Sequence, residues 1–213
     1  MKTSFNISIL GGRGYVGQEI IKIINNHPNF FISNIYSKSS QGKLVDDYNK
    51  SKSLTYKLLD SPDKLDFTDI DIVIMALSNN ESFDYIKSIE GHDPNIIIID
   101  ISADYRFDDG WAYKLPEVAT QTKDKRISNP GCYASAIQFS LFPIKHLING
   151  KVSCMGISGY SGAGATTNEK NDPNNLKGNI IPYSLSGHIH EKEVIKHCYE
   201  EISFSPHVAN FFR

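Results

Sequence analysis

The sequence predicts an α/β protein built on a parallel sheet, and three observations carry that prediction. Short, almost wholly apolar segments (residues 5–10, 70–77 and 95–101) alternate with stretches whose apolar residues recur at helical spacing. Segments 70–77 and 95–101 lack the in–out alternation of a half-solvated strand, as expected of strands covered on both faces. A glycine-rich run stands directly between the first such segment and the first helical stretch.

The elements follow in order. Residues 5–10 read as a strand, and Ile20, Ile21, Ile23 and Ile24 give a helical apolar face that ends near Asn26-His27-Pro28. Residues 30–36 read as a second strand. Residues 37–59 are polar and poorly periodic and read as loop. Residues 70–77 are a third strand; Phe83, Ile86 and Ile89 mark a helix; the isoleucine-rich segment 95–101 is a buried strand. The character then changes. A helix with Ala134, Ile137, Gln138 and Leu141 on one face precedes a strand at 152–158, a Gly/Ser/Asn/Asp-rich loop at 159–179, a helix at 188–199 and a short strand at 202–204. Two domains are expected, 1–131 and 132–213.

Bulk properties narrow the function. With 22 Lys+Arg against 24 Asp+Glu, the formal net charge is -2, which makes no electrostatic case for nucleic acid or an anionic membrane. The three cysteines, Cys132, Cys154 and Cys198, form no CxxC and no metal spacing, so no metal site is expected and a reducing compartment fits. No apolar run is long enough to span a bilayer. A strand beginning within the first ten residues leaves no room for a leader, so a cytoplasmic location is expected.

The run Gly11-Gly12-Arg13-Gly14-Tyr15-Val16-Gly17 contains GxGxxG with a strand before it and a helix after it. In that context the glycines permit a tight turn and close approach to a pyrophosphate, which faces the helix N-terminus. The first domain is thus expected to be a Rossmann-type, doubly wound parallel sheet. Ser37-Lys38-Ser39-Ser40 follows the second strand, where NAD-preferring sites carry an acid for the ribose 2′-hydroxyl. Hydroxyls and a cation suit a 2′-phosphate instead, which favours NADP(H); a plain polar loop is the alternative. Ala76-Leu77-Ser78-Asn79 ends the third strand, where such folds open their ligand crevice, and borders either the nicotinamide or nothing in particular.

In Ser128-Asn129-Pro130-Gly131-Cys132-Tyr133-Ala134 a cysteine follows a Pro-Gly turn and opens a helix. The partial positive charge of a helix N-terminus stabilises a thiolate, and the amides of the turn suit an oxyanion. That pattern points to acyl transfer through a thioester; a buried structural thiol is the bland alternative. His188 and His190 lie at a helix start, where residues two apart do not share a helix face. Each read alone is a cap or surface residue.

Taken together, these motifs resemble the N-acetyl-gamma-glutamyl-phosphate reductase family, the NADPH-dependent enzymes of arginine biosynthesis. The resemblance runs through the glycine-rich run, Ser37 to Ser40, Ile101-Ser102-Ala103-Asp104-Tyr105-Arg106, Trp111-Ala112-Tyr113-Lys114-Leu115-Pro116-Glu117, Ser128 to Ser135, Ser158-Gly159-Tyr160-Ser161-Gly162-Ala163-Gly164, Ile180-Ile181-Pro182-Tyr183-Ser184-Leu185, Gly187 to Val194 and Pro206-His207-Val208. It implies Cys132 as nucleophile, His190 as acid/base and a small acyl phosphate as substrate. Arg106, Ser158 and Gly159 become candidates for substrate or phosphate contact, with Asn129 fixing the Cys132 turn. Arg106 reads equally as an ion-pair partner of Asp104.

Ile189 and Lys192 stand where the family usually has arginine and proline, as in the subgroup containing the fungal bifunctional enzymes. Family members continue beyond the Pro206-His207 motif, whereas this chain stops at Arg213. The expectation is therefore a second, α+β catalytic and substrate domain that is incomplete, with open strand edges and exposed apolar surface. A homo-oligomer is expected of the complete protein. Aspartate-semialdehyde dehydrogenase chemistry and a non-catalytic NADP-binding fragment are the competing readings.

Overall fold

The computed structural model describes residues 2–118, 123–164, 168–169 and 171–212. They fall into two units, Met1–Lys114 with Gln121–Asn129, and Leu115–Thr120 with Pro130–Arg213.

The first unit is a parallel sheet with helices. Its elements are β1 (Phe5–Leu10), α1 (Tyr15–Asn26), β2 (Phe30–Ser37), β3 (Lys57–Leu58), β4 (Ile72–Met75), α2 (Ser82–His92), β5 (Ile97–Asp100), β6 (Ala112–Tyr113) and β7 (Arg126–Ser128). The strand order is β3-β2-β1-β4-β5-β7-β6, and every pair is parallel. The winding reverses between β1 and β4, so the crevice of such a sheet opens at their carboxyl ends.

β4 explains why these strands read as unbroken apolar runs. Ile72 and Ile74 join one core with Ile21 and Ile24 of α1, while Val73 and Met75 join another with Ile86 and Ile89 of α2. Each such side chain, fully buried, contributes about 1.5–3 kcal/mol. The end of α1 is capped from a distance: Lys50 Nζ donates to Ile24 O (2.9 Å) in the last turn, to His27 O just after it and to Phe30 O (2.7 Å) at the start of β2.

The segment 37–59, read as loop, is more ordered than its composition suggests. It holds β3 and a bridge between Leu44 and Thr55, and it sinks Val45, Tyr48 and Tyr56 into the α1-side core. Those anchors are few and irregularly spaced, so no period betrays them. β6 and β7 escaped notice because two or three residues carry no period at all.

The second unit comprises α3 (Cys132–Leu141), β8 (Val152–Gly159), α4 (Pro173–Leu176), β9 (Ile180–Pro182), α5 (Ile189–His197) and β10 (Ile202–Ala209). Its sheet runs β8-β10-β9, with β10 parallel to β8 and antiparallel to β9. Phe204 and Ile202 pack with Tyr133, Ala134 and Ile137 of α3 and Val194 of α5. The register places Met155, Ile157 and Ile180 away from that core, 64%, 47% and 55% exposed, which is the apolar exposure anticipated for this domain.

β10 is longer than the three residues expected, because Pro206 does not stop it. The Pro206 carbonyl accepts from Tyr183 N at 3.1 Å. Its nitrogen therefore faces the β9 side, where the ladder ends at Pro182, and no bond to β8 is lost. The predicted loop 159–179 contains α4, and its residues 165–167 and 170 lie outside the described residues. No described helix is long and apolar enough to cross a membrane.

Candidate functional site

Two groups of residues carry chemistry, one in each unit. In the first, the glycine-rich turn crosses from β1 to α1. Gly11 has φ +83°, and a Cβ there would lie 2.2 Å from Ala76 O, so the turn runs against the end of β4. A Cβ on Gly17 would sit 2.7 Å from the Gly12 backbone. Gly14 caps α1 in extended geometry with no side chain over the helix end, and Tyr15 and Val16 open the first turn. Gln18 Nε2 fastens the loop, donating to Gly12 O (2.9 Å) and Tyr56 Oη (2.7 Å). The start of α1 and the missing Cβ atoms form a cradle that fits a pyrophosphate at a helix N-terminus.

At the end of β2, Ser37 and Ser40 are buried, and Ser37 Oγ accepts from Ser39 N (3.3 Å). Arg13 Nη1 donates to Ser39 Oγ (3.3 Å), which brings a guanidinium to this corner. Lys38 Nζ lies 2.7 Å from Glu81 Oε1. Ala76, Leu77 and Ser78 follow β4, and the next turn is tied down on both sides. Asn79 Oδ1 accepts from Ala103 N (3.0 Å), and the Asp104 carboxylate accepts from Asn80 N (2.7 and 2.9 Å) and Ser82 N (3.4 Å).

Asp104 thus serves the start of α2. Buried Arg106 donates Nε to Asn129 O and Nη2 to Ile101 O, both at 2.9 Å, bracing the segment that leads to Pro130. Asn129 N in turn donates to Asp100 O (2.8 Å). The Asp100 carboxylate, fully buried, accepts from Ser82 Oγ (2.9 Å) and Ser102 Oγ (2.6 Å), and burial pushes its carboxyl above the usual range.

In the second unit, extended Gly131 is the N-cap of α3 and Cys132 its first residue, with the thiol-bearing side chain exposed. Ser135 N is the first amide to bond back, to Gly131 O at 2.8 Å. The amides of Cys132, Tyr133 and Ala134 therefore have no acceptor within the helix, at the positive end of its dipole. Cys154 and Cys198 are different: burial pushes both thiols up. Cys132 lines a cavity of about 220 Å³ together with Ser158, Gly159, Tyr183, His188 and His190. Arg106, which the resemblance offered as a substrate contact, and Asn129, offered as fixing the Cys132 turn, both belong to the first unit.

The two histidines meet despite their spacing. His188 is the N-cap of α5, with φ −58° and ψ 141°, and its Nδ1 accepts from His190 N at 3.1 Å. The rule against shared faces applies within a helix; His188 stands just before it with non-helical dihedrals, and the rings are 4.8 Å apart.

Two residues of this site were not singled out in the sequence. Glu193 is completely buried; its Oε2 accepts from Gly131 N (2.9 Å), and its Oε1 lies 3.8 Å from His190 Nε2. Its position three residues after His190 on a helix was the available signal. Tyr183 carried no such signal. Burial, then the neighbouring Tyr133 and Cys132, push its phenol up, so it stays a hydrogen-bond donor at neutral pH.

Residues 6–125 match the family model "Semialdehyde dehydrogenase, NAD binding domain", and residues 132–213 match "Semialdehyde dehydrogenase, dimerisation domain". N-acetyl-gamma-glutamyl-phosphate reductase of Xanthomonas axonopodis pv. citri is 41% identical over 97% of the chain, and that of Stenotrophomonas maltophilia 39% over 99%. The mitochondrial protein arg-6 of Neurospora crassa is 42% identical over 97% of the chain. The chain spans 66%, 68% and 25% of the lengths of these three relatives, respectively. Among solved structures, aspartate semialdehyde dehydrogenase II from Vibrio cholerae superposes with a TM-score of 0.76 at 16% identity, covering 98% of this chain and 71% of the other. The Candida albicans enzyme, solved with NADP, gives 0.73 at 16% identity, covering 99% and 69%; at such identities the likeness speaks for the fold. The chain belongs to the semialdehyde dehydrogenase family, among the N-acetyl-gamma-glutamyl-phosphate reductases.

Proposed function

We propose that this protein carries the chemistry of an N-acetyl-gamma-glutamyl-phosphate reductase, forming N-acetylglutamate 5-semialdehyde and phosphate in arginine biosynthesis. The observation that carries the reading is the joint placement of Cys132 and His190 on one cavity, with Glu193 behind them joining His190 to the Gly131 turn. The names of the bacterial relatives supply the substrate.

In this mechanism the Cys132 thiolate attacks the acyl carbon, the bond to the phosphate oxygen breaks, and a thioester remains. The free amides at the start of α3 hold the negative oxygen at each tetrahedral stage. NADPH, when bound, supplies the hydride that reduces the thioester carbon. His190 takes the Cys132 thiol proton to form the attacking thiolate and returns it to the sulfur as the carbon–sulfur bond breaks to release the aldehyde. Ser158, Gly159 and Tyr183 donate to substrate oxygens from the cavity wall. Arg106 and Asn129 act at a distance, by holding the segment before Pro130.

The cofactor reading rests on the cradle at Gly11, Gly12, Gly14 and Gly17 and on Arg13, Lys38 and Ser39 at the end of β2, a set that fits a 2′-phosphate. The working division is a cofactor domain at 1–131 and a catalytic and substrate domain at 132–213. The exposed face bearing Met155, Ile157 and Ile180 suits a second copy of the chain, in line with the family model's description. Three free cysteines suit a reducing, cytoplasmic setting.

The test is the reverse reaction: N-acetylglutamate semialdehyde, phosphate and NADP, with absorbance of NADPH as readout. Turnover that Cys132→Ser abolishes supports the proposal. Turnover that survives the substitution, or that occurs with aspartate semialdehyde alone, overturns it.

A further inference from the structure

We propose that Glu81 sets how strongly this protein discriminates phosphorylated from unphosphorylated nicotinamide dinucleotides, by neutralising Lys38 at the end of β2. The inference rests on the dinucleotide reading of the first unit.

The sequence directly after β2 holds no carboxylate, where NAD-preferring folds place one for the ribose 2′-hydroxyl. The fold brings a carboxylate to that corner from elsewhere. Glu81, the N-cap of α2, puts Oε1 2.7 Å from Lys38 Nζ. Its backbone is fixed on both sides, since the Asn80 and Ser82 amides donate to the Asp104 carboxylate and Glu81 N donates to Ser78 O (3.3 Å). The Lys38 side chain is by contrast 58% exposed and can swing to another anion. Lys38 and Glu81 line a cavity together with Phe83, which is 69% exposed, a flat apolar face beside the charged pair.

The Arg13 and Lys38 cations and the Glu81 carboxylate therefore compete over this corner, with Asp84 on the same cavity wall. Arg13, hydrogen-bonded to Ser39, and Lys38 attract a 2′-phosphate; Glu81 repels it and occupies Lys38. A neutral 2′-hydroxyl is indifferent to the cations and can donate to the carboxylate. Glu81 thus lowers the preference that Arg13 and Lys38 would otherwise create.

The experiment measures dissociation constants of NADPH and NADH for the full chain, with Glu81→Gln, Lys38→Met and the double variant, at low and high salt. Thermal unfolding of each variant confirms that it is folded. The expected result is NADPH binding tightened about three- to tenfold by Glu81→Gln, the scale of one partly screened unit charge acting over a few ångström. NADH binding is not tightened, and the gain shrinks in the Lys38→Met background and at about 1 M salt. Equal changes for both nucleotides, or weaker NADPH binding, would overturn the inference. A wild-type chain that favours NADH while Glu81→Gln moves toward NADPH removes the NADP(H) reading and upholds the role of Glu81. A wild-type chain that binds neither nucleotide removes both.

Discussion

Glu193 and Gly131 are joined by a buried hydrogen bond of 2.9 Å, sixty-two residues apart in the chain, and this bond ties α5 to the turn that presents Cys132. The other carboxylate oxygen faces His190 Nε2 at 3.8 Å. Glu193→Ala leaves a buried amide without an acceptor and removes the charge beside His190. A loss of about 2–3 kcal/mol of stability is expected from denaturant titration. Glu193→Gln keeps an acceptor for the amide, so stability falls less, yet the pH profile of Cys132 alkylation should shift because His190 loses its anionic neighbour. An unchanged profile would reduce Glu193 to packing.

The glycines of the first turn separate into structural and functional positions. Gly17→Ala forces a Cβ to within 2.7 Å of the Gly12 backbone, which cannot step aside, and should cost about 1–3 kcal/mol. At Gly14 the nearest atom to an added Cβ is 3.6 Å away, so Gly14→Ala should unfold nearly as the wild type does. Its nucleotide affinity should nonetheless drop, because the methyl group intrudes where the phosphates approach the helix. Paired unfolding and nucleotide-binding curves distinguish the two cases.

Lys50→Met tests the remote cap of α1. The substitution keeps an unbranched apolar side chain but removes the ammonium from three carbonyls and from its place over the Phe31 ring. A destabilisation of about 1–2 kcal/mol is expected, with the alkylation rate of Cys132 unchanged.

Asp100 should leave a signature in the pH dependence of stability. Its carboxyl is raised by burial, so above the unfolded value of 3.8 the folded state holds a proton that the unfolded state has lost. That contribution is full below the unfolded value and declines as pH rises toward the raised folded value. Asp100→Asn lacks this term. Its stability relative to the wild type should therefore climb as pH rises above the unfolded value of 3.8 in urea titrations. A difference that stays flat with pH would mean that Asp100 titrates normally.

Much of this was legible in the sequence wherever burial and period coincide. β4 and β5 announced themselves as apolar, isoleucine-rich runs because both faces of each strand are covered, and GxGxxG announced the turn because only glycine fits against Ala76 and Gly12. The segment holding Tyr48 and Tyr56 was opaque because isolated anchors leave no repeat. The proximity of His188 to His190 was opaque for a different reason: spacing rules assume a continuous helix, and His188 sits just outside it. Glu81 beside Lys38 and Glu193 beside Gly131 are tertiary meetings that no local pattern encodes.

The central claim is that Cys132 is acylated by the substrate, and mass spectrometry of the intact chain tests it most directly. The protein would be mixed with N-acetyl-gamma-glutamyl phosphate in the absence of nicotinamide nucleotide, quenched in acid and digested. The account predicts one N-acetylglutamyl adduct on the Cys132 peptide, removed by hydroxylamine and absent from Cys132→Ser. An adduct on Cys154 or Cys198 instead, or none on a folded chain, would contradict it.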